Sequence, residues 1–154
     1  LDLNVLDKFI EDINKAGSIF NKSGKVLCYH NHALEFQKTN NEIILDRIYN
    51  KTESKLIQGE PDVYWIQKGG HDPVTWCKKL KNRLPLIHLK DFIMINEHDS
   101  YYAEIGNGNL DIKNIIKEAK LSGCKWYIVE QDECQDDPFI SIETSFNNLL
   151  EFVS

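Results

Sequence analysis

Residues 27–36 read LCYHNHALEF. His30 and His32 close an apolar run, and Glu35 follows three residues later. Imidazoles and carboxylates bind divalent metals and move protons. Taken alone, a spacing of two on a strand puts both rings on one face and says nothing more. The pattern gains weight because it recurs. A second apolar stretch ends near Asp62-Val63-Tyr64-Trp65, a third in His88-Leu89-Lys90-Asp91, and a fourth in Glu130-Gln131-Asp132-Glu133. Each has an ordinary alternative: Asp62 capping a turn after Pro61, Glu130 pairing with Lys90 or Lys125, each histidine simply hydrogen-bonded. One shared site accounts for four coincident endings more simply than four separate reasons. Two or three carboxylates with a histidine suit Mn²⁺, Zn²⁺ or Co²⁺. Without a cation, three close carboxylates would repel and raise one another's pKa.

The elements that must position these residues follow from periodicity. Leu6, Phe9, Ile10, Ile13 and Ala16 recur at helical spacing over 4–20, with Asp2 or Asn4 as cap. NKSG (21–24) is a turn, and 25–32 is an apolar strand of the kind buried on both faces. Residues 42–50 read as a short helix. Residues 55–67 hold the next strand, made irregular by Gly59 and Pro61. Asp72 and Pro73 open a helix that turns Val74, Cys77 and Leu80 inward. The strand 84–91 follows, then a long loop, FIMINEHDSYYAEIGNGN. Asp111 caps a helix with Ile112, Ile115, Ile116 and Ala119 on one face, ended by Gly123. A fourth strand covers 125–133. Asp137-Pro138 start a last helix with Phe139, Ile142, Phe146, Leu149 and Leu150 expected inward. Helices alternating with apolar strands require a parallel sheet, and in such α/β folds ligands bind at the carboxyl ends of the strands.

The bulk numbers narrow the function classes. The chain has 154 residues, enough for one core, with 42% hydrophobic and 27% charged residues. A net charge of −6 and scattered lysines argue against a nucleic-acid partner, which needs a basic stripe. No apolar run reaches membrane-spanning length. The opening LDLNVLDKFIED is polar-periodic, unlike a secretory leader, and starts on Leu rather than Met, which suggests a fragment. Cys28, Cys77, Cys124 and Cys134 form no CxxC pair. They read as free thiols of a reducing, cytoplasmic setting. Lys90 could neutralise an oxyanion or hold a substrate hydroxyl, or simply snorkel. Trp65 could stack on the apolar face of a sugar or pack in the core. Gly69-Gly70 and Gly106-Asn107-Gly108 either let backbone approach a ligand or permit turns.

YHNHALEF, DVYW followed by GGHDP, LPLIHLKD, EIGNGNLD and WYIVEQDE occur in this order between about residues 25 and 135. Together they resemble the sugar phosphate isomerase/epimerase family, the xylose isomerase-like TIM barrels, whose members include inosose dehydratases and ketose 3-epimerases. The resemblance implies a parallel (β/α) barrel, of which 1–154 would be the C-terminal half with about four β/α units. It implies a divalent ion at the mouth (Mn²⁺, Zn²⁺, Co²⁺ or Mg²⁺) held by Glu35, Asp62, His88 and Glu130. His30 stands where several relatives carry their first glutamate, so His30 or His32 is the alternative to Glu35. Trp65 stands where ketose epimerases have a histidine, and Pro61 replaces an aliphatic residue. The implied activity is isomerisation or epimerisation of a sugar or polyol through an enediolate. Glu130, His30 and Lys90 would be its catalytic groups, with His32, Trp65 and Lys90 contacting substrate. The alternatives are dehydration of a keto-inositol and a non-catalytic sugar-binding fragment. A full barrel needs eight strands. A missing N-terminal half or a second copy is therefore expected to close it.

Overall fold

The computed structural model describes residues 2–153; Leu1 and Ser154, the ends of the expected 1–154 half-barrel, lie outside the described residues. Helix α1 (Leu3–Lys22) is capped by the Asp2 carboxylate, which accepts the Asn4 N–H. It buries Leu6 and Ile10. Gly17 lets it close on the next layer, because a Cβ there would meet Leu56 O at 2.7 Å and Ile57 Cδ1 at 2.9 Å. Strand β1 (Leu27–His30) pairs in parallel with β4 (Ile57–Glu60), placing His30 opposite Glu60. Strand β5 (Leu86–Leu89) pairs in parallel with β8 (Trp126–Val129). The two ladders join where the Pro61 carbonyl accepts the His88 N–H and Asp62 bridges His88. The wall therefore runs β1–β4–β5–β8, with an open edge at β1 and another at β8.

Helices α2 (Ile44–Lys51), α4 (Pro73–Lys79) and α5 (Ile112–Leu121) cover the outer face of this wall. The core between the layers includes Leu45, Ile66, Trp76, Ile87, Leu89 and Ile115. Arg83 ties the layers together, donating to the carbonyls of Ile57, Tyr49 and Thr52 and to Thr52 Oγ1. The Asp72 and Asp111 caps form as expected. All four cysteines are free, and burial pushes the Cys77 thiol up to about 12, which leaves it unreactive.

Four expectations need correction. Residues 42–43 are not helical. They form β3 (Glu42–Ile43), which returns on β2 (Lys38–Thr39) through Asn40 and Asn41, both at positive φ. The stretch 63–67 is not strand. The Asp62 side chain accepts the N–H groups of Tyr64 and Trp65, and this cap starts helix α3 (Val63–Lys68). The long loop after the third strand is largely a hairpin, β6 (Asp91–Met94) with β7 (Ser100–Ala103). Its apolar alternation is short and its turn polar, which hid it.

The fourth concerns helix α6 (Pro138–Val153). Its Leu149 is buried, but Phe139, Ile142, Phe146 and Leu150 are exposed, Phe139 at 83%. The helix docks instead through small polar residues. Ser145 Oγ accepts the Ile105 N–H, Ser141 Oγ donates to Glu104, and Asn148 Nδ2 donates to the Ile105 carbonyl. Periodicity locates an apolar stripe but does not say which layer covers it.

Candidate metal centre at the carboxyl ends of the strands

Alternation decides which side chains meet at the mouth. Tyr127 and Val129 pack against the outer core, so Trp126 and Ile128 share the inner face with His88, their ladder neighbour. On β1, Tyr29 points outward to the helices and His30 points inward. The inner faces end in His30, Glu60 and His88, and the chain just beyond them adds Asp62, Lys90 and Glu130.

His88 is the centre of this group. Its Nε2 lies 2.7 Å from Glu60 Oε1 and its Nδ1 lies 2.9 Å from Glu130 Oε2. The His30 ring lies 4.6 Å from the His88 ring, centroid to centroid. His30, Asp62 and His88 each offer a ligand atom, and these atoms lie within 4.8 Å of one another. Among the described residues, two buried atoms of this group have no hydrogen-bond partner: His30 Nδ1 and Asp62 Oδ2. Unpaired buried polar atoms cost free energy, so their presence in this cluster fits a cation-binding role. Two imidazoles and a carboxylate suit Zn²⁺, Mn²⁺ or Co²⁺.

Lys90 supplies fixed positive charge. The side chain is 2% exposed. Its Nζ lies 2.9 Å from Asp132 Oδ1, 3.3 Å from Glu130 Oε2 and 3.6 Å from Asp62 Oδ2. Burial alone would lower its pKa, but Asp132, Asp62 and Glu130 outweigh that and raise it. Burial pushes the Asp62 carboxyl up to about 6, against the pull of Lys90. Glu130 goes the other way: burial is outweighed by the His88 hydrogen bond and the Lys90 charge, and its carboxyl is held below the usual range. His30 is lowered by burial and by the neighbouring His88 and His32 rings, which favours the neutral imidazole a metal requires.

The rim carries His32 and Trp65, with ring centroids 5.2 Å apart. Trp65 Nε1 is also buried and unpartnered. Lys90 Nζ sits 5.4 Å from the Trp65 ring, and Tyr64 and Tyr102 stand nearby.

Of the residues expected at the site, His30, Asp62, His88, Lys90 and Glu130 are brought together, with His32 and Trp65 at the rim. Glu35 is not. It accepts the Tyr29 O–H at 3.0 Å and the His32 N–H at 2.9 Å. Tyr29 belongs to the outward-facing row, and Glu35 follows it. Glu35 lines an apolar groove of about 470 Å³ with Phe9, Leu34 and Ile44, apart from the mouth. Sequence reasoning missed Glu60, Asn31 and Tyr102. Asn31 is fully buried, and its Oδ1 accepts the Asp62 N–H at 3.3 Å. Tyr102 arrives on the unforeseen hairpin, its ring 5.1 Å from that of Tyr64 and 5.7 Å from Lys90 Nζ.

A family model described as xylose isomerase-like TIM barrel matches residues 3–148. A sugar phosphate isomerase/epimerase from Parabacteroides distasonis ATCC 8503 is similar in structure. Its TM-score is 0.78 at 30% identity, over 92% of this chain and 50% of that one. A xylose isomerase domain protein from Planctomyces limnophilus shares the fold, with a TM-score of 0.67 at 10% identity. An inosose dehydratase from Clostridium tetani is 27% identical over 145 residues, 82% of this chain and 47% of that protein. One from Geobacillus thermodenitrificans is 25% identical over 150 residues. The chain spans about half the length of the curated relatives it matches. Among the described residues, no helix is long and apolar enough to cross a membrane.

Proposed function

The chain belongs to the xylose isomerase-like TIM-barrel family, and from that membership we propose that it is the C-terminal half of a divalent-metal-dependent enzyme that isomerises or epimerises a sugar or polyol. The observation that carries this reading is the convergence of His30, Asp62 and His88, with two buried ligand atoms unpartnered. His30, Asp62 and His88 would hold the ion, with Glu130 beside them. Bound there, the ion supplies Lewis acidity to a substrate carbonyl. Glu35 is left out of the ligand set by its contacts with Tyr29 and His32.

The protein groups divide the remaining work. Glu130, 3.3 Å from the Lys90 ammonium, takes the proton from the carbon next to the carbonyl. The C–H electron pair becomes the new C=C bond, and the carbonyl pair moves onto oxygen, giving an enediolate. His32, exposed and 4.9 Å ring to ring from His30, returns a proton from the other side. Lys90 keeps positive charge beside the developing oxyanion, and Trp65 offers an aromatic face to the sugar. The second reading is dehydration of a keto-inositol, favoured by the similarity to inosose dehydratases. It shares the first proton abstraction and then expels the neighbouring hydroxyl.

Closure of the barrel belongs to the same reading. Trp126 is 68% exposed although it faces the barrel interior. Ile128 on the same face, the outer stripe of α6 and the edges of β1 and β8 also await cover. A second half of four β/α units would cover them, supplied by the rest of a longer chain or by a second copy.

Exchange of substrate C–H hydrogen with deuterated solvent tests the reaction, followed by NMR with the closed barrel and Mn²⁺. Isomerase or epimerase chemistry gives exchange that stops on chelation, and a dehydratase gives loss of hydroxyl as well. Absence of Mn²⁺-dependent exchange on any keto-sugar or keto-inositol would refute both.

A further inference from the structure

Glu60 has no part in the reaction above, yet it makes the 2.7 Å contact to His88 Nε2. Glu130 faces the other nitrogen of that ring. Glu130 Oε2 is 2.9 Å from His88 Nδ1, and Lys90 Nζ is 3.3 Å from that oxygen and 3.6 Å from the unpartnered Asp62 Oδ2. These contacts form a continuous path from Nδ1 to Asp62. An ion held by Asp62 Oδ2 and Glu130 would meet His88 from its Nδ1 side. The proton of the ring must then sit on Nε2, and Glu60 is the acceptor facing it.

We propose that Glu60 is a positioning residue that holds His88 as its Nε2–H tautomer, with the Nδ1 lone pair turned to the ion. This rests on the metal reading of the mouth. A ligating histidine needs its second nitrogen held, because a free ring rotates and samples the wrong tautomer. Glu60 is well placed to hold it. The residues before and after it are held to the β5 segment, through the Gly59 N–H to the Arg83 carbonyl at 2.7 Å and the His88 N–H to the Pro61 carbonyl at 2.9 Å. Backbone and side chain thus join the same two strands at one level, across the seam between the ladders.

The test uses the full chain, titrated with Mn²⁺ by calorimetry as wild type, Glu60→Ala, Glu60→Gln and Asp62→Asn. A second arm records the ring nitrogens of His88 by ¹H–¹⁵N NMR in the Zn²⁺-loaded protein. Glu60→Ala should weaken Mn²⁺ about 10–100-fold, at temperatures well below its metal-free melting temperature. Glu60→Gln, whose amide oxygen still accepts, should lose less. The wild-type spectrum should show a protonated Nε2 and a liganded Nδ1. Equal affinity of wild type and Glu60→Ala, with binding lost in Asp62→Asn, would overturn the proposal and leave the metal reading standing. Losses as complete in Glu60→Gln as in Glu60→Ala would also overturn it, making Glu60 itself a ligand. A protonated Nδ1 in the loaded wild type would do the same. No binding to wild type would remove the metal reading and this proposal together.

Discussion

Asp62 and Asp91 are both completely buried, at 0% exposure, and their surroundings treat them oppositely. Asp91 accepts the N–H groups of Phe92, Gly106, Gly108 and Leu110, so both its oxygens are used. Asp62 uses one oxygen to cap α3 and leaves the other unpartnered, 3.6 Å from Lys90. Burial raises both carboxyls, but around Asp91 four backbone donors oppose it. Asp91 is a closed structure that folds the Gly-Asn-Gly loop onto the strand end. Asp62 is an open one, whose second oxygen has only the Lys90 charge nearby, at 3.6 Å. The difference separates buried polarity that builds the fold from buried polarity that serves a site.

The largest effect should come from breaking the closed centre. Asp91→Ala strands four backbone donors, and we expect a loss of about 3–5 kcal/mol in urea unfolding. Gly108→Ala attacks the same centre sterically, because its Cβ would overlap Asp91 Oδ1 and Cγ. About 3 kcal/mol should be lost, or the loop should rearrange. Asp62→Asn sharpens the contrast. Asparagine still caps a helix and carries no unpaired charge, so the metal-free chain should change by less than about 1 kcal/mol, while its Mn²⁺-induced rise in melting temperature disappears. A large loss in the metal-free protein would make Asp62 structural, like Asp91. Glu130→Gln should abolish turnover in the closed barrel and leave the circular dichroism of the chain unchanged. Retained turnover would remove Glu130 as the base.

Asp7 calibrates the pair from the exposed end. Hydrogen bonds from Arg47 and Lys51 lower its carboxyl to about 2 from an ordinary value near 3.8. A lowered carboxylate contributes stability above its unfolded pKa and loses it as pH falls through the folded one. The difference in melting temperature between wild type and Asp7→Asn should be small, present above about pH 4 and gone below about pH 2. A difference that persists in acid would show that Asp7 does not act through its charge.

Much of the open centre was legible because apolar strands stop at polar residues. His88, Lys90 and Glu130 mark such ends directly, and the order of helices and strands follows from periodicity. Glu60 was hidden because Gly59 and Pro61 blur the end of β4, which made Asp62 look terminal. Glu35 lies close in sequence to His30 and His32, while alternation on β1 sends Tyr29, which donates to its carboxylate, to the outer face. Asn31 shows no signal beyond its place between two histidines. The apolar stripe of α6 was legible, but its outward direction was not. Amphipathicity gives a helix a face but does not name the layer that covers it.

The most direct measurement is an anomalous difference map from crystals of the chain soaked in Mn²⁺. The central claim predicts one strong peak at the mouth, with His30, Asp62 and His88 as its ligands and Asp91 still bonded to its four N–H groups. A fully soaked crystal with no peak there, or with Asp62 Oδ2 still unpartnered while manganese sits elsewhere, would contradict it.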